Sequence, residues 1–251
     1  AGSLVDLMQN EVEPSFHAAT GYAVEGFPAG SKALAAEIKG EVRRGDVFVS
    51  ASPGVNKDLE GSSNGAWVSW YVTFATAPLV LGYNPSSRFA HDLRTRPWYQ
   101  VVTEPGFLLG RTDPSTDPKG KLAVTALESA ATTHHTPGLA ALARTSSGVF
   151  PEETLVGRLQ AGQLDAGFFY SSEAAAARIP TVALTGEDLE ASYTVTVLRG
   201  APDPTGAEAF VTWLLGPAGR AALTSEGFRL LPSPTVTGTG VPSGVRRALG
   251  G

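Results

Sequence analysis

The chain has 251 residues, 42% hydrophobic and 17% charged, with a formal net charge of −5 at pH 7. That length and apolar content support a sizeable buried core in one large or two smaller domains and exclude a disordered chain. The acidic balance without a Lys/Arg run excludes a nucleic-acid footprint, and the lack of cysteine excludes disulfides, thiolate metal sites and a cysteine nucleophile.

In chain order, the first helix follows Ala1-Gly2-Ser3, with Leu4, Leu7 and Met8 on one face at i, i+3, i+4 spacing. AGSL reads as the middle of a strand-to-helix joint, so a processed or trimmed chain is expected, its preceding strand missing or very short. YAVEGF (22–27) reads as a strand, and Ser31 opens a second helix with Leu34 and Ile38 inward. GDVFVSA (45–51) reads as a strand buried on both faces. WVSWYVTFA (67–75) and PLVLGYN (78–84) read as two further strands, and FLLG (107–110) as a short one leading into RTDPSTDPKG. A helix follows over 121–131.

The second half repeats this logic. Pro151-Glu152-Glu153 starts a helix, LDAGFFY (164–170) is a strand, and SSEAAAAR (171–178) is a helix capped by Ser171 or Ser172. IPTVAL (179–184) and YTVTVLRG (193–200) are strands, followed by helices over 205–215 and 217–226. Residues 232–244 are turn-rich and expected on the surface. Strand–helix alternation predicts an α/β chain with parallel sheets. No run approaches the ~20 apolar residues of a membrane helix.

Two A-G-S joints precede helices, at 1–3 and 29–31. Ser3 and Ser31 are N-cap candidates, each worth about 1 kcal/mol to its helix. A glycine before the cap also lets a ligand approach the backbone, where free N–H groups carry partial positive charge. Two such ends converging would hold an anion without Arg or Lys. Asp113 and Asp117, each followed by proline, read as turn formers or caps, and Glu152 and Glu153 complement their own helix dipole. A carboxylate beside a tetrahedral dianion is repulsive, so these residues do not by themselves belong in such a pocket.

AGSL, AGSK, GDVFVSAS, LVLGYN, RPWYQ, GRTDPSTDPKG and LDAGFFY occur in the order found in extracytoplasmic molybdate/tungstate-binding proteins of ABC importers. The chain resembles the archaeal-type branch of that family from Ala1 to about Leu231. The resemblance implies a type II periplasmic-binding-protein fold of two α/β lobes, each a mixed, mostly parallel sheet flanked by helices, with the ligand in the cleft. Lobe one would comprise 1–76 and 193–251 and lobe two 77–192, with strand-like crossings near 75–80 and 188–194. Ser3, Ser31 and Tyr170 would contact the oxyanion oxygens. Asp117 and Glu152, with Glu153 as the alternative to Glu152, would bind the Mo or W centre itself. Such a centre is a hard cation behind its oxo groups and suits oxygen donors, whereas sulfur and phosphorus do not readily expand their coordination. The pair would thereby select one class of oxyanion.

The resemblance further implies molybdate or tungstate as ligand, no cofactor, an ABC permease as partner, a monomer, and a periplasmic or membrane-anchored location outside the cell. Lys119 stands where relatives often carry an apolar residue or cysteine, and is expected to leave the anion's immediate contacts untouched. The alternative is a binder of sulfate or phosphate with structural carboxylates. An enzyme using Asp117 and Glu152 as an acid/base pair lacks a supporting nucleophile elbow, and His134-His135 lies in a polar turn without helical metal-site spacing.

Overall fold

A computed structural model describes residues 1–225 and 228–250. Among them are the strands β1 (Val47–Ser50), β2 (Trp70–Tyr83), β3 (Leu109–Thr112), β4 (Val149–Phe150), β5 (Ala166–Tyr170), β6 (Thr181–Ala183), β7 (Glu190–Val197) and β8 (Arg229–Gly238). The chain divides into two compact units, Ala1–Thr76 with Ser192–Gly251, and Ala77–Ala191. Each is α/β.

In the first unit β1 runs antiparallel to β7, with Val47 opposite Val197 and Ser50 opposite Thr194. The first half of β2 is antiparallel to β8, with a register shift between Thr73 and Ala75. The helix Ser31–Lys39 turns Leu34, Ala35 and Ile38 onto Phe48, Val55, Leu59, Tyr71 and Leu198. Its 3.6-residue spacing makes that one face, and each large side chain so buried is worth about 1.5–3 kcal/mol. Residues 2–20 form one helical run that widens into a π-helix at Met8–Val12. Pro14 lacks an N–H and crowds the carbonyl four residues back, and the widened turn just before it accommodates both defects. Phe16 from this run packs edge-on against Phe210 and Trp213.

In the second unit β5 lies between β2 and β3. It is antiparallel to β2, with Leu79 opposite Tyr170, and parallel to β3, with Gly110 opposite Gly167. β3 is also parallel to β4, and β6 pairs antiparallel with β2. All five residues of β5 are buried, as a strand flanked on both sides requires. The helix Glu152–Gln160 contributes Leu155 and Leu159 to a cluster with Leu164, Phe169, Ala174 and Ile179.

Several local expectations are corrected. YAVEGF forms no strand: among the described residues no backbone–backbone hydrogen bond involves 23–28. These residues line a cavity of about 560 Å³ together with Val47, Phe48 and Val49, so no strand lies against them to pair with. β1 alternates half-buried and buried residues rather than being covered on both faces. The runs around Pro78 are one strand, because a missing N–H interrupts the ladder without ending it. The sheets are mixed, but antiparallel pairs are more prominent than helix–strand alternation suggested, because β2 is long enough to serve β5, β6 and β8. Residues 232–238 belong to β8, where Thr235, Val236 and Thr237 face β2 residues. The second tail helix ends at Ser225, and residue 226 lies outside the described residues.

The D-P-x-G stretch has a backbone explanation. A Cβ on Gly120 would stand 2.5 Å from the Thr112 carbonyl oxygen and 2.6 Å from the Asp113 carbonyl carbon. Only glycine lets the first turn of the helix Pro118–Thr133 press onto the chain leaving β3. We expect Gly120→Ala to destabilise the protein by about 1–3 kcal/mol. Gly157→Ala, with nothing within 4 Å of the added carbon, should stabilise its helix by about 0.4–1 kcal/mol. Chemical denaturation of the two variants checks the contrast, and equal effects would refute the close-approach reading.

Candidate functional site

In the first unit the two A-G-S joints are neighbours, because the Gly2 N–H donates to the Ala29 carbonyl at 2.8 Å. Ser3 and Ser31 are both buried. Neither caps its helix. The N-cap positions are Ala1 and Gly30, and no side chain takes the first-turn N–H groups at either end. Each serine stands inside the first turn, where its side chain is turned away from the amides it was expected to cap. Ser3 Oγ instead hydrogen-bonds the Tyr193 hydroxyl at 3.1 Å, and Ser31 Oγ accepts from the Ala51 N–H at 3.1 Å. Having accepted, Ser31 retains its own O–H as a donor. Tyr193, fully buried in β7, was not singled out in the sequence; YTVTV signalled only a strand.

The second unit gathers a different chemistry. Asp117 is the N-cap of the helix Pro118–Thr133, its Oδ1 accepting from the Lys119 N–H at 3.1 Å. Its Oδ2 is buried with no hydrogen-bond partner among the described residues, and Thr112 Oγ1 lies near the carboxylate without hydrogen-bond geometry. Glu152, the first residue of its helix, is buried, and neither of its carboxylate oxygens has a hydrogen-bond partner among the described residues. Glu153 is exposed. Tyr170 ends β5, fully buried.

Lys119 ties this cluster together, contrary to the expectation that it stands apart. Its side chain is completely buried, and its ammonium donates to Glu173 Oε1 at 2.8 Å and Oε2 at 2.7 Å. The same nitrogen lies 3.4 Å from Glu152 Oε1, an ion-pair contact without hydrogen-bond geometry, and 5.7 Å from the Tyr170 ring centroid. A lysine two residues after a cap points inward here because Gly120 brings that turn onto β3. Glu173 was also missed. The helix Ser171–Ala176 is capped at Tyr170, not at Ser171 or Ser172, and Glu173 reaches back to the Tyr170 N–H at 3.3 Å. An S-S-E sequence at a strand end signalled a helix start, but not a buried counter-ion.

Three carboxylates around one ammonium leave an excess of buried negative charge. Burial, reinforced by Asp117, pushes Glu152 up to about 7. Burial also raises Asp117 and Glu173, partly offset in each by Lys119. Lys119 itself is raised, its burial outweighed by Glu173, Glu152 and Asp117. Among the described residues no group of three or more His, Asp or Glu side chains is placed to hold a metal ion. His134 stacks on Tyr99, with ring centroids 3.7 Å apart.

A carboxylate raised on folding keeps its proton where the unfolded chain has lost it, so its ionisation opposes the fold. From Glu152 we expect stability to fall as pH rises from about 4.5 to about 7 and then level off. Glu152→Gln should raise stability at pH 8 by about 1–3 kcal/mol and change it little at pH 4.5. Denaturation at the two pH values checks this, and an equal effect at both would contradict it.

Comparison with known proteins identifies the family and the fold. A family model described as bacterial extracellular solute-binding protein matches residues 1–229. A solute-binding protein of Petrotoga mobilis is 27% identical over 234 residues, covering 79% of this chain and 72% of that protein. The molybdate/tungstate-binding protein WtpA of Thermococcus kodakarensis is 24% identical over 232 residues, covering 72% of this chain and 65% of its own length. Among solved structures, the periplasmic molybdate-binding protein of Azotobacter vinelandii superposes with a TM-score of 0.70 at 20% identity, over 92% of this chain and 97% of that one. The sulfate-binding protein SubI of Mycobacterium tuberculosis gives 0.67 at 13% identity, over 96% of this chain and 86% of its own. These likenesses assign the two-lobed fold of periplasmic binding proteins, which capture a solute rather than transform it. The chain belongs to the bacterial extracellular solute-binding protein family.

Proposed function

We propose that this protein captures molybdate or tungstate outside the cytoplasm and delivers it to the permease of an ABC importer, acting as a monomer without a cofactor. The observation that carries the reading is a set of buried carboxylate oxygens, Asp117 Oδ2 and both oxygens of Glu152, that have no hydrogen-bond partner among the described residues, Glu152 having only the ion-pair contact to Lys119. Leaving such lone pairs unused is costly, and a hydrogen-bonded anion such as sulfate would only add repulsion. The centre of molybdate or tungstate is instead a hard acceptor for oxygen donors. In this reading the second unit offers Asp117 and Glu152 to the metal centre and Tyr170 to an oxo group. The first unit offers Ser3, Ser31 and the uncapped first-turn N–H groups to the remaining oxygens. The Thermococcus relative named for this ligand supports it. No helix among the described residues is long and apolar enough to cross a membrane.

Calorimetric titration of ligand-stripped, refolded protein with tungstate, molybdate, sulfate and phosphate at one pH tests the reading. Heat from the first two with silence from the others is expected, and silence from all four would overturn it. Ser31→Ala should weaken every bound oxyanion by about tenfold, because it removes a donor that any of them would use. Asp117→Asn with Glu152→Gln should weaken tungstate and molybdate by a hundredfold or more. If the pair gains affinity for sulfate at the same time, repulsion by the carboxylates is the selectivity device.

A further inference from the structure

We propose that Lys119, held by Glu173, is the charge-compensating residue that lets a carboxylate-lined site accept a doubly charged anion, and that it sets this protein's preference for dianions over monoanions of the same shape. This rests on the binding reading above and adds a residue and a selectivity to it.

The geometry is specific. One residue engages both carboxylates assigned to the anion, through its backbone N–H to Asp117 at 3.1 Å and its ammonium to Glu152 at 3.4 Å. The remaining reach of the ammonium is spent on both oxygens of Glu173, which fixes where the charge sits. Without Lys119, the cluster would present only Asp117, Glu152 and Glu173 to an incoming anion.

A purely structural role explains this poorly. Replacing a buried ion pair by apolar side chains of similar volume is commonly neutral or stabilising, so packing alone does not require a lysine here. The placement of Glu173 is equally selective: it orients Lys119 and takes up the Tyr170 N–H at 3.3 Å, so cation and tyrosine share one anchor. Coulomb energy scales with ligand charge, so a fixed cation favours a dianion twice as strongly as a monoanion in the same position.

The experiment compares tungstate with perrhenate, tetrahedral oxyanions of like size carrying two and one negative charges. The variant Lys119→Met removes the cation and leaves the three carboxylates. We expect the ratio of tungstate to perrhenate affinity to fall at least tenfold relative to the parent protein, measured where circular dichroism shows the variant folded. Equal loss for both anions, or no loss, would overturn the proposal while tungstate binding by the parent still upheld the broader reading. A parent that binds neither tungstate nor molybdate would instead sink that reading first. Should Lys119→Met fail to fold, Glu173→Gln alone decides: it removes one negative charge and leaves Lys119 in place, so the ratio should rise. A ratio that stays constant or falls there would also overturn the proposal.

Discussion

A fully buried ammonium is the constraint around which the second unit is organised. Lys119 is tolerated away from water only because Glu173 meets it with both oxygens and Glu152 stands beside it. Each of those carboxylates depends in turn on the lysine to offset its own burial. Removing Lys119 would leave the buried carboxylates without their cation. The cluster is nevertheless incomplete as a set of paired charges. Glu173 is satisfied, whereas Asp117 uses one oxygen as a helix cap and leaves the other without a hydrogen bond among the described residues. That imbalance separates a fully paired counter-ion from carboxylates with hydrogen-bonding capacity to spare within a single group of side chains.

The backbone around the cluster is correspondingly restricted. Gly120 permits the close approach of helix and strand end that sends Lys119 inward, and β5 carries Tyr170 to the same place through its pairing with β2 and β3. Parallel and antiparallel neighbours on either side hold β5 against slippage in both registers. The first unit gathers polar groups with almost no charge. Its Gly-Ser joints lie side by side, and the serine side chains bond to Tyr193 and Ala51 rather than to their own helices.

What was legible in the sequence follows from how local each feature is. Most helix and strand cores were readable because their apolar periodicity is a property of adjacent residues. Ser3, Ser31, Asp117, Glu152 and Tyr170 were singled out by motif and resemblance, and the fold buries all five. The expectation of serine caps failed because a cap depends on whether the side chain turns back to its own amides or toward a neighbouring element, and sequence spacing does not state that. YAVEGF has the composition of a strand, but a strand also needs a partner edge, and none of the described residues supplies one. Lys119 and Glu173 were hidden for the same reason. They are 54 residues apart, and a buried pair of that separation leaves no local pattern.

The contrast between the two units bears on selectivity. Backbone amides and hydroxyls donate to oxygen whatever atom lies at the centre of a tetrahedral anion, so the first unit can report shape but not element. Carboxylates cannot donate unless protonated, and burial pushes Glu152 toward its neutral form. An anion whose central atom accepts oxygen donors would reward ionisation of that group. One whose centre does not would meet either a repelling charge or a protonated acid that must be kept neutral. The second unit thus buries more carboxylate than Lys119 balances, whereas the first unit presents hydroxyls and backbone amides, groups that do not distinguish one tetrahedral oxyanion from another.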